Sequence, residues 1–117
     1  MTHAISKSKY VAGLQCPKLL WTQYNDRDVI PAPPPSTQYV FDMGHTVGDL
    51  AKLLFPGGVE VPAGAGPGDR PDIEATVAVT RAMLQERRPV FEASFLSDEP
   101  AGRRYVRADV LTPAASG

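Results

Sequence analysis

Cysteine is almost missing from this chain: Cys16 is the only one in 117 residues. A lone thiol excludes an intramolecular disulfide, so the fold has no covalent staple, and a reducing cytoplasm is the natural expectation. Histidine is nearly as scarce, with His3 and His45 alone. Zinc and iron–sulfur sites normally take several Cys or His ligands, so a closed thiolate site within this chain is not expected. Net charge is missing too. Twelve basic and thirteen acidic residues leave a formal charge of −1, and nothing in that total predicts nucleic-acid binding. No apolar run reaches 18 residues, and MTHAISKSKY carries no signal-like apolar stretch. Neither secretion nor a membrane partner is indicated. A glycine-rich phosphate loop is also lacking, because PGG and GPGDR have neither the lysine nor the helix register it needs. Nothing in the sequence points to a protein partner.

Proline and glycine are in excess, twelve and ten respectively, and most of them fall in two stretches. Four prolines between 31 and 35 exclude a helix interior or central strand, so 31–36 reads as a stiff, extended connector. VPAGAGPGDR, 61–70, reads as a flexible loop. Around them the pattern is mostly helical. Ser6 can cap a short helix over 7–13 that Gly13 weakens or ends. Pro17 suits the first turn of a second helix, with Leu19, Leu20, Trp21 and Tyr24 as its apolar surface. From Thr37, Val40, Val47, Ala51 and Leu54 recur at helical spacing until PGG stops the run. Gly44 and Gly48, four apart, suggest close approach of another backbone on that helix. PDIEATVAVTRAMLQERR is the clearest helix, with Asp69 or Asp72 as cap and Ile73, Thr76, Val77, Thr80, Met83 and Leu84 on one face.

Two strands follow, 89–96 and 104–111, around a turn at SDEPAG. The fold class is therefore α+β: N-terminal helices, then a two-stranded antiparallel hairpin. Two strands make a poor sheet, so 1–117 reads as a single incomplete domain. If Phe91, Ala93 and Phe95 share the core with Val106, Ala108 and Val110, Glu92 and Asp109 emerge together on the other face. Two converging carboxylates suit Mg2+ or Mn2+, and a solvated half-sheet with Arg107 pairing one of them suits the pattern equally. Cys16 reads on its own as a buried, inert thiol. Lys7, Lys9, Lys18, Arg104 and Arg107 cluster at the first helices and the hairpin, where they can serve as phosphate contacts or as ordinary surface.

Three stretches in order, SKSKYVAGLQCPKLLW, FDMGHTVGDLAKLLFPGG, and PVFEASF with VRADVL, resemble the N-terminal part of an uncharacterised bacterial family. That family is related to CRISPR-associated Cas4 and RecB-type nucleases of the PD-(D/E)XK superfamily, and the resemblance spans residues 5 to 111. It implies a truncated restriction-endonuclease-like core acting on DNA. By the same resemblance Asp109 matches the first metal-binding aspartate, and Glu92 an acidic position on the preceding strand. Cys16 matches the first cysteine of a 4Fe–4S cluster. Gly48 falls where RecB-like enzymes often carry a metal-proximal histidine, with His45 three residues away. A complete parent protein would use Mg2+ or Mn2+ and the cluster, and this chain would hold neither stably. The superfamily places an acid-x-lysine motif on the strand after Asp109, and TPAASG contains none. The expected function is thus a portion of a metal-dependent DNA exonuclease-like phosphodiesterase, inactive alone. The alternatives are a noncatalytic nucleic-acid-binding or interaction module and a truncated product without independent function.

Overall fold

The computed structural model describes residues 3–64, 66 and 71–115. Helix α1 (Lys7–Gln15) starts where the Lys9 backbone N–H donates to Ser6 Oγ, so the expected cap is present. Gly13 does not end it. A Cβ there would lie 2.7 Å from Leu20 Cδ2, so the glycine lets α2 (Pro17–Asn25) pack close against α1. Proline opens α2 as expected, and a 3-10 turn at Arg27–Val29 leads into the proline connector.

That connector is shorter than 31–36. Pro34 is extended and Pro35 is the first residue of α3 (Pro35–Lys52), where a missing N–H costs no hydrogen bond. No residue of α3 is buried. A Cβ on Gly44 or Gly48 would meet nothing within 4 Å, so the expected close backbone approach is absent and both glycines face open space. The 61–70 loop likewise begins later than its composition suggests. Val61 is buried, and its N–H donates to Phe91 O, so it extends the short strand β2 (Val59–Glu60). Residues 65 and 67–70, including the alternative cap Asp69, lie outside the described residues.

Helix α4 (Ile73–Gln85) is capped by Asp72, whose Oδ1 accepts the Ala75 N–H at 3.0 Å. Its buried residues are Thr76, Val77 and Thr80, on the face that the 3.6-residue period marks. Arg87, at φ 52, takes the left-handed position just past its end. Strands β3 (Val90–Glu99) and β4 (Gly102–Leu111) then form the expected hairpin, with a tight turn at Pro100 and Ala101.

The hairpin is not a two-stranded sheet. With β1 (Ile5–Ser6) it belongs to a four-stranded mixed sheet of order β1-β4-β3-β2. The central pair is antiparallel, while β1 on β4 and β2 on β3 are parallel. Each added strand has two residues, too few to show a period of two in sequence, yet short edges of this kind limit unwanted pairing.

One face of the sheet is covered by α4. Val61, Val90 and Ala93 form the buried cluster, with Val79, Met83 and Leu84 of α4 packed on it and Ala108 and Leu111 from β4. A polar clamp joins the same layers: Thr80 Oγ1 donates to Thr76 O at 2.8 Å and accepts the Ser94 N–H at 2.9 Å. Phe91 is buried by the turn after α3, with the Phe55 ring edge-on at 6.5 Å. A Cβ on Gly58 would fall 2.5 Å from the Phe91 ring, so only glycine admits this contact.

Candidate nucleic-acid interface and carboxylate pair

Burial along the hairpin departs from simple alternation. Val90 and Ser94 are fully buried, whereas Phe95 is 37% and Val106 47% exposed. Val90 and Ala93, three residues apart, share one core cluster, as do their partners Leu111 and Ala108. Regular pleating would send residues three apart to opposite faces. Between them lies Glu92, at φ 59 in the left-handed region. That conformation costs a non-glycine residue roughly 1–2 kcal/mol, and it interrupts the pattern that was expected to carry both carboxylates to one face.

The register still sets the two acids against each other. Phe91 pairs with Val110 and Ala93 with Ala108, which places Glu92 opposite Asp109. Asp109 is exposed and Glu92 half-buried. Glu92 Oε2 lies 2.7 Å from Arg107 Nε but accepts no well-directed hydrogen bond, so the contact is an ion pair with poorly aligned donor geometry. Mg2+ and Mn2+ need several oxygen ligands around one point. No group of three or more His, Cys, Asp or Glu is placed to share an ion among the described residues. Two carboxylates, one already neutralised by arginine, do not fit a complete hard-cation site.

Cys16 does not fit a 4Fe–4S cluster either, since four thiolates are needed and the chain has one. Instead of a buried thiol, the structure has an exposed one at the corner between α1 and α2, where its N–H donates to Ala12 O. The helices meet through Gly13 and Leu20, so their contact leaves Cys16 outside. His45 and Gly48 are exposed on α3.

The basic residues are gathered by a contact between distant parts of the chain. Strand β1 pairs Ile5 with Arg104 and Ser6 with Tyr105, so Lys7, the next residue, enters α1 beside the Arg104–Arg107 stretch. Lys18 lies apart from this edge, on α2. Arg104 is paired with Glu99 and Arg107 with Glu92. Lys7 and Lys18 are exposed, with no ion-pair partner among the described residues. Lys9 Nζ sits 3.9 Å over the Tyr24 ring, whose hydroxyl donates to Ala4 O at 3.0 Å. Burial raises the Tyr24 pKa above 10.0.

Lys9 also lines a half-open cleft of about 440 Å3 that sequence reasoning missed. Its walls come from α1 (Ser8, Lys9), α2 (Gln23), the 3-10 turn (Arg27) and the start of the proline connector. No local signal marks it, because Arg27 reads as a loop residue until the connector folds back against α1. No helix among the described residues is long and apolar enough to cross a membrane. Comparison with protein-family models, with curated proteins and with solved structures finds no match to this chain.

Proposed function

We propose that this chain binds nucleic acid along the β1–β4 edge and belongs to a metal-dependent phosphodiesterase of the PD-(D/E)XK kind, without cleaving by itself. The observation that carries the reading is the placement of Glu92 opposite Asp109, with Glu92 held left-handed in mid-strand. Non-glycine backbone outliers of this kind concentrate at functional sites. Phosphate contacts on this edge fall to Lys7 first, because Arg104 and Arg107 must leave Glu99 and Glu92 to take part, and Lys18 on α2 lies apart from it. Cleavage needs a third acid and a lysine beside the Asp109 carboxylate; the two carboxylates alone supply only part of what would orient a cation and its water.

The Arg107–Glu92 ion pair favours a second reading, a noncatalytic nucleic-acid-binding module, since it occupies one of the two acids. One experiment addresses both. Fluorescence anisotropy of labelled single- and double-stranded DNA is followed against salt, with parallel incubations in Mg2+, Mn2+ and EDTA. Binding is expected to weaken with a log–log slope of about −2 to −3, the mark of a few phosphate contacts. No cleavage is expected. Absence of binding at low salt overturns the nucleic-acid reading. Metal-dependent degradation, with contaminating nuclease excluded, overturns the inactivity of the chain.

A further inference from the structure

The cleft between α1, α2 and the proline connector carries an inference of its own. It holds two cationic side chains, Lys9 and Arg27, and among the described residues no carboxylate lines it. Asp26 and Asp28 flank Arg27 in sequence, but neither reaches the cleft wall. The Arg27 side chain has no hydrogen-bond or ion-pair partner among the described residues. The Lys9 ammonium is held in place over the Tyr24 ring. The first turn of α1 contains no acid, so the positive end of its dipole is not offset by a nearby carboxylate. Gln23 contributes a carboxamide oxygen that is buried without a hydrogen-bond partner. Pro31 and Pro33 form a wall with no backbone N–H, and Ser8 adds a hydroxyl at the rim. The volume of about 440 Å3 falls within the range of small-ligand sites.

We propose that this cleft binds a phosphate group, as inorganic phosphate or as the phosphate monoester of a nucleotide or strand end. Arg27 is the main contact: its planar fork matches phosphate oxygens in pairs, while Lys9 adds a point charge. The site goes beyond the proposed function and does not depend on it, because it stands even if the β1–β4 edge binds no oligonucleotide.

The test is a nitrogen-15 NMR titration of the whole chain with inorganic phosphate, thymidine 5′-monophosphate and thymidine, each to about 10 mM. Phosphate and the monophosphate are expected to shift the Arg27 Nε and Gln23 carboxamide signals, and thymidine is not. Arg27→Ala should weaken the monophosphate by about tenfold, the scale of one charge-assisted hydrogen bond. Arg27→Lys should weaken it less, and Arg81→Ala, on α4 away from the cleft, should change nothing. Competition with 5′-phosphorylated and 5′-hydroxyl oligothymidylate then tells the sources apart. Stronger competition by the phosphorylated strand identifies a strand end; equal competition identifies the free ester. Absence of shifts with phosphate, equal shifts with thymidine, or wild-type affinity in Arg27→Ala overturns the proposal.

Discussion

Glu92 is the residue at which local preference and the fold disagree. A carboxylate side chain gains nothing intrinsic from φ 59, and the surrounding pairs, Phe91 with Val110 and Ala93 with Ala108, hold it there. The physical reason is the core: Val90 and Ala93 both pack under α4, and a regular strand cannot turn both toward one helix. This gives a prediction with an inverted sign. In an ordinary strand alanine is the better residue, but here Glu92→Gly should be more stable than Glu92→Ala by about 1 kcal/mol. Comparing the two variants cancels the lost Arg107 contact, since neither retains it. Urea unfolding measures the difference, and Glu92→Ala equal to or more stable than Glu92→Gly would remove the strain assignment.

The elements differ widely in how they are held. Helix α4 is capped by Asp72, buried along Thr76, Val77 and Thr80, and tied to the hairpin by Arg103, which pairs with both Glu74 and Asp98. Helix α3 is longer but has no buried residue. Its Val40, Met43, Val47 and Leu50 are all exposed. Its C-terminal end is anchored by Lys52, which donates to Glu60 at 2.9 Å, and by Phe55 against Phe91. A helix of this length without tertiary packing is only marginally stable in water. Amide hydrogen exchange should therefore be at least about tenfold faster over 38–48 than over 76–84, with protection rising toward Lys52. Uniform protection across α3 and α4 would show that α3 is covered in solution.

At the scale of the whole molecule the chain is open. Its radius of gyration is 16.3 Å, against about 13.4 Å for a compact domain of this length. Its accessible surface is 9001 Å2, against about 6200 Å2. Apolar burial is correspondingly small, and long-range polar contacts such as Arg88 Nε to Gly57 O and Arg103 to Glu74 fasten the pieces together. Tyr24 and Lys52 link stability to alkaline pH. Burial raises the Tyr24 pKa, and the hydrogen bond to Glu60, with the Glu60 and Asp49 charges, raises that of Lys52. A raised folded pKa means stability that is complete below the unfolded value and lost as pH climbs through the folded one. The urea midpoint should thus stay level up to about pH 10 and then fall. Tyr24→Phe should remove part of that fall. A midpoint that rises above about pH 10 would reverse both assignments.

Short-range physics was legible from the residues alone. The caps at Ser6 and Asp72, the proline start of α2, the buried face of α4 and the β3–β4 pairing each depend on a few neighbouring residues or one turn. Long-range packing set the rest. Strands β1 and β2 have two residues each and acquire meaning only against β4 and β3. Exposure of Cys16, the choice of Glu92 over Asp109 as the partner of Arg107 and the meeting of Lys9 with Arg27 depend on how segments pack. Side chains far apart in sequence come together only when the core sets their separation, and that separation is not encoded in any single window of residues.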